Sequence, residues 1–197
     1  IGTIGPFSVG GLTVLSFHTS GSAGTTTEHM RITAAGEVLI GITSATSGGA
    51  ALQVVDGITF PATQVSSANA NTLDDYEEGT FTPTIVGTTT AGTGTYSIQA
   101  GNYTKIGNRV YFSAKLAWSA HTGTGNMRIA GLPFSQIAGD PAATVAVDAS
   151  NLTFPGQLTA YVVSAGTQVV PITFATGAAN AALAMDTAAQ IEVSGHY

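Results

Sequence analysis

Arg109-Val-Tyr-Phe-Ser-Ala-Lys-Leu-Ala-Trp118 alternates apolar with polar or small residues along its length. A period of two is the pattern of a β-strand with one wet face. Gly107-Asn108 immediately before it suits a tight hairpin turn, with 101–106 as the preceding strand. Working outward, the same short apolar, β-branched pattern recurs at 81–86, 96–98, 127–129, 144–147, 158–163, 169–174 and 190–197. So many short strands separated by polar loops predict a β-sandwich, jelly-roll-like, over residues 81–197. Only 177–189, rich in Ala, offers a competing helical propensity there.

Upstream of residue 62 the strand signals are shorter, at 12–17, 30–33, 38–41, 52–55 and 57–60, each broken by Gly, Thr or Ser. Strands this short are marginal as isolated hairpins in water. Residues 1–61 are therefore expected to form an elongated shaft in which strands of several copies interleave. Residues 62–80 form a neck: 62–73 has little β character and could hold a helical turn or two, and the acids of residues 74–78 follow. The opening Ile1-Gly-Thr-Ile-Gly5 reads as the start of a fragment, with an upstream part expected before it.

Composition points the same way. Charged residues make up 8% of the 197-residue chain, against about 25% in an ordinary domain. Hydrophobic residues make up 44%, and mean hydropathy is positive, which sets the chain apart from disordered ones. Soluble surfaces usually carry about 25–35% charge, so much of this surface is expected to be covered by identical neighbours in a homo-oligomer. The net charge is −6 and the basic residues Arg31, Lys105, Arg109, Lys115 and Arg128 are scattered, which argues against nucleic acid. No apolar run approaches the length of about 18 residues needed for a membrane helix, so no membrane insertion is expected. Without cysteine there is no disulfide, thiolate metal site or thiol nucleophile.

Several segments together resemble bacteriophage tail fibres. Glu28-His-Met-Arg-Ile-Thr-Ala-Ala-Gly-Glu-Val-Leu-Ile-Gly41 resembles a fibre repeat. Gly57-Ile-Thr-Phe-Pro-Ala-Thr-Gln64 and Asn71-Thr-Leu-Asp-Asp-Tyr-Glu-Glu-Gly-Thr-Phe-Thr-Pro83 resemble the neck that leads into a C-terminal domain. Gly101-Asn-Tyr-Thr-Lys-Ile-Gly-Asn-Arg-Val110, Gly131-Leu-Pro-Phe134 and Ile191-Glu-Val-Ser-Gly-His-Tyr197 are similar to segments of that domain. The resemblance implies a parallel homotrimer with an intertwined shaft and a distal knob, carried on the virion outside the cell. The rest of the tail would attach through the missing N-terminal part. The partner it implies is a host surface glycan or outer-membrane protein. Two other classes stay open: a tailspike-type polysaccharide hydrolase and a purely structural virion fibre or decoration protein.

Aromatic rings beside polar loops are the leading binding candidates, because rings stack on sugars and dominate protein contacts. Trp118 runs into the loop holding His121 and Asn126, while Phe154 and Tyr161 border other loops. The competing reading packs Trp118 in the core. Asp74, Asp75, Glu77 and Glu78 could ligate Ca²⁺. As glycosidase carboxyls they lack the required facing geometry. The favoured reading is a solvated collar, some of its acids paired with Arg109 or Lys105. His18, His29, His121 and His196 are isolated in sequence; His18 or His29 would converge only on a trimer axis. No nucleophile triad or phosphate cradle is discernible, and no cofactor is expected.

Overall fold

The alternating stretch is one arm of a long hairpin in an all-β structure. The computed structural model describes residues 3–9, 12–21, 24–45, 51–61, 63–65, 67–69, 71–139 and 144–197, and these contain strands and turns with no helix. The chain divides into two units, Ile1–Thr59 and Phe60–Tyr197.

The first unit is a five-stranded sheet in the order β1 (Thr3–Val9), β2 (Leu12–Ser20), β3 (Thr26–Ile32), β4 (Val38–Ile40), β5 (Leu52–Val54). Neighbours are antiparallel except β4 and β5, which run parallel. These strands pair with one another inside a single chain. Among the described residues, Val14 and Leu39 are its buried apolar side chains, and Ile40, Leu52, Val55 and Ile58 stay exposed. Arg31 grips Glu28 through two bonds of 2.5 and 2.6 Å, which hold the Glu28 carboxyl below its ordinary range. The strand expected at 57–60 does not form. Gly57 has φ of +94°, a left-handed conformation outside the β region.

The second unit contains β6 (Tyr76–Phe81), β7 (Thr84–Gly87), β8 (Gly94–Ile106), β9 (Arg109–His121), β10 (Met127–Ala130), β11 (Thr144–Ser150), β12 (Gln157–Val162), β13 (Gln168–Phe174), β14 (Ala181–Ala182) and β15 (Ala189–His196). They form one sheet in the order β6-β8-β9-β15-β11-β12-β13-β10-β7, with β14 added on β13. The β8–β9 turn falls at Gly107, whose φ of +58° needs no Cβ relief. The two strands expected at 96–98 and 101–106 are one strand. Gly101 does not break it; a Cβ there would come within 2.6 Å of the Phe81 ring, so the glycine makes room for that ring. Pro83, which cannot donate to a ladder, separates β6 from β7. The helical alternative over 177–189 is replaced by a turn and β14, and the described residues within 62–73 are not helical.

The sheet is curled, and its connectivity requires this. β6 and β7 are its two end strands, yet only Thr82 and Pro83 separate them in sequence. Three residues of extended chain span roughly 10 Å, so the two ends must meet. At the meeting line β7 turns an unpaired edge toward β8 and β9, and side chains satisfy it. Ile85 N–H donates to Tyr96 Oη at 2.8 Å, His121 Nε2 lies 3.0 Å from Ile85 O, and Gln99 Nε2 donates to Pro83 O at 2.8 Å. Gly123 N–H donates to His121 Nδ1 at 2.9 Å. Nδ1 is therefore the acceptor, and Nε2 carries the proton donated to Ile85.

Inside the curl lies a continuous apolar cluster that includes Ile85, Phe112, Leu116, Trp118, Ile129, Val169, Ile191 and Tyr197. Tyr197 closes one end. Its backbone pairs with Val110 at 2.8 and 2.9 Å, and its hydroxyl oxygen accepts from Phe134 N–H at 3.3 Å. Burial pushes the Tyr197 phenol from 10.0 up to about 12. Because the folded value lies above the unfolded one, its contribution is present below pH 10.0 and is lost as pH rises toward about 12. Phenolate absorbance should show Tyr197 ionising late, together with loss of the near-ultraviolet dichroism of the fold. Ionisation of every tyrosine near pH 10 in the intact fold would contradict this placement.

Candidate functional site

Strand register determines which side chains share the outer face. Thr80, Asn102, Ser113, Ser194 and Ala146 are successive direct partners across β6, β8, β9, β15 and β11. The next row is Ala100, Lys115, Glu192 and Asp148, and beyond it Ala117, Gln190 and Ser150. Side chains two apart on a strand face the same way, so these rows form one surface opposite the core. Small residues dominate it and leave a hollow of ≈ 520 Å³ over the first two rows. A second hollow of ≈ 420 Å³ follows beside Ala117, Ser150, Asn151 and Gln190. The first falls in the size range of sites that hold small ligands, about 300–1,000 Å³.

The groove sets a few polar groups among small apolar residues, and its charges are nearly balanced. Lys115 pairs with Glu192, both side chains being partly exposed, and Gln190 Nε2 donates to Glu192 Oε1 at 3.5 Å. Ser113 Oγ donates to Asn102 Oδ1 at 2.9 Å. Asp148 is the direct neighbour of Glu192 across β11 and β15. Tyr111 stands one row from Ser113 at 51% exposure, with its ring 5.7 Å from that of His196. The surface thus offers hydroxyl, carboxamide, carboxylate and ammonium groups beside one open aromatic ring.

The residues expected to form a loop site are not brought together. Trp118 is 3% exposed in the core, with Nε1 donating to Asp186 O at 3.0 Å; its edge reaches only the wall of the second hollow. His121 is buried at the closure of the curled sheet. Phe154 is half-buried against the core. Asn126 is exposed beside β7, its N–H donating to Thr88 Oγ1 at 2.8 Å, and Tyr161 is exposed on β12. None of His121, Asn126, Phe154 and Tyr161 lines the groove. In the first unit, His18 Nε2 contacts Ser16 Oγ at 3.0 Å and His29 Nε2 contacts Thr19 Oγ1 at 2.7 Å.

The acidic run is split by strand alternation rather than gathered. Asp74 is partly exposed and accepts from Ser67 N–H at 2.7 Å and Gln64 Nε2 at 3.1 Å, bonds that lower its pKa. Glu78 accepts from Tyr76 Oη at 2.9 Å on the outer face. Asp75 is 0% exposed, which departs from the solvated collar, while its pairing with Lys105 matches the pairing expected for some of these acids. Among the described residues no three His, Asp or Glu side chains could hold a metal ion together. Within one chain, Asp74, Asp75, Glu77 and Glu78 are therefore not gathered into a common site.

No protein-family model matches the chain, and neither the curated proteins nor the solved structures give a match.

Proposed function

We propose that this chain is the tip of a bacteriophage tail fibre that adheres, as a homotrimer, to a host surface glycan. The observation that carries this reading is the outer groove over β6, β8, β9, β15 and β11, lined by Asn102, Ser113, Lys115, Glu192 and Ser194. Closely spaced hydroxyl, amide and compensated charged groups suit a hydroxyl-rich ligand. A ring such as Tyr111 beside them suits the apolar face of a sugar. The groove lies on hydrogen-bonded strands rather than on a loop, an arrangement that limits the ordering required on binding. Three copies per fibre would multiply a weak single-site affinity through effective concentration. The segments similar to tail fibres, at 28–41, 57–64, 71–83, 101–110, 131–134 and 191–197, support the same assignment.

Ser194→Trp places a bulky ring in the groove without touching the core. Its melting temperature should stay near that of the parent, while adsorption to host envelopes should fall at least about tenfold, equivalent to about 1.4 kcal/mol. A folded variant with unchanged adsorption would remove the groove from consideration. One observation favours a second reading. Asp148 and Glu192 are direct neighbours on this face, and retaining glycosidases hold two carboxyls about 5–5.5 Å apart. New reducing ends after incubation with host polysaccharide would identify a hydrolase instead. Failure to bind any envelope in a panel would identify a structural fibre.

A further inference from the structure

Asp75 and Lys105 are an unusual pair for a protein with so few charges. Asp75 is 0% exposed and the Lys105 side chain 12%, and Lys105 Nζ is in direct contact with Asp75 Oδ2. Neither Asp75 oxygen receives a conventional hydrogen bond among the described residues. On its other side Nζ lies 5.4 Å from the centre of the Phe134 ring. Asp75 stands two residues before Glu77, and Glu77 is the direct cross-strand partner of Lys105 between β6 and β8. Directly opposed side chains have Cβ atoms about 4.5–5.5 Å apart. A second carboxyl is therefore within reach of the contact.

A buried ion pair recovers its desolvation only when further hydrogen bonds complete both partners. Here the carboxylate has none. The contrast is Lys115 and Glu192, whose side chains are 42% and 41% exposed and remain hydrated. Burial also pushes the Lys105 ammonium pKa down, opposed in part by the charge of Asp74, and so favours the neutral, nucleophilic amine. An amine against a buried carboxyl, with a third group in reach to carry protons, is arranged for condensation.

We infer that Asp75 and Lys105 become joined by an intramolecular amide bond between Asp75 Cγ and Lys105 Nζ, with Glu77 as proton carrier. A proton passes from the ammonium to the Asp75 carboxylate and leaves a neutral pair. The Lys105 nitrogen lone pair then attacks Cγ and forms the C–N bond. Glu77 takes a proton from the nitrogen and delivers it to the departing hydroxyl. The C–O bond breaks, one water leaves, and Glu77 ends as it began. Ammonium plus carboxylate becomes amide plus water, with no oxidant, reductant or net proton. The bond fastens β6, an end strand held by a ladder on one side only, to β8. It does not depend on the adhesive reading.

Intact-mass measurement of the purified full chain tests this. The folded protein should weigh one water less than its sequence, and proteolysis should yield one branched peptide joining the Asp75 and Lys105 segments. Lys105→Arg should restore the full mass. Glu77→Gln should fold, as judged by circular dichroism, yet keep the full mass or lose water far more slowly. A folded parent protein at full sequence mass would overturn the inference. So would a water-loss species whose Asp75 and Lys105 peptides separate. Conversion of Glu77→Gln at the parent rate would overturn the role of Glu77.

Discussion

Trp118→Ala should lower the unfolding free energy of the C-terminal unit by about 3–5 kcal/mol. The ring is 3% exposed and sits in the core cluster with Leu116, Met127 and Ala189. Its strand partners are Tyr96 on β8 and Ala189 on β15. Truncation leaves a cavity between them. It also strips the donor from Asp186 O, bonded at 3.0 Å, and such a hydrogen bond is worth about 0.5–1.5 kcal/mol. Trp118→Phe keeps most of the ring and should lose only about 1–2 kcal/mol, chiefly that hydrogen bond. Urea unfolding of both variants measures the difference. Adsorption by Trp118→Ala should fall in proportion to the fraction unfolded. A variant that stays within about 1 kcal/mol of the parent and loses adsorption would return Trp118 to the binding surface.

The placement of that residue shows where the sequence was informative. Alternation over 109–118 gave the strand, and it also contained the parity of each ring. Trp118 shares its face with Val110, Phe112 and Leu116, all buried, while Tyr111 shares its face with Ser113 and Lys115. The ring open to a ligand is thus the one with polar neighbours two residues away. Singling out Trp118 for the polar loop after it overrides this periodicity. The acids behave alike: Asp75 and Glu77 share one face, and Glu78 takes the other. Alternation separates what a count of charges had grouped.

Other features were not legible because they depend on pairings distant in sequence. The groove needs β6, β8, β9, β15 and β11 side by side, an order that departs from chain order. No local pattern places Ser194 between Ser113 and Ala146. His121 reads locally as a polar loop residue, whereas its role arises because β7 returns beside β8 and β9 and offers Ile85 as partner. The neck carries no strand signal of its own for a related reason: Tyr76–Phe81 becomes a strand only when β8 supplies its ladder.

Lys105→Met should lower stability by at least about 3–5 kcal/mol from the Asp75 carboxyl left buried without a partner, beyond the loss of the cross-link. An isolated buried carboxyl is more stable protonated, so this variant should regain stability relative to the parent as pH falls through the carboxylate range. The double variant Asp75→Leu/Lys105→Met separates the two contributions. It removes the buried charge and fills the space with apolar atoms of similar size. Were the pair held only by charge, such a replacement would be neutral or stabilising by about 1–4 kcal/mol. With the amide present in the parent, the double variant should still fall short of it. A cross-link closing a loop of about 30 residues is worth roughly 3–4 kcal/mol in the chain-entropy account. The parent should therefore exceed the double variant in denaturant midpoint, and the double variant should exceed Lys105→Met. A double variant as stable as the parent would argue against a stabilising cross-link and reduce the site to an ordinary buried ion pair.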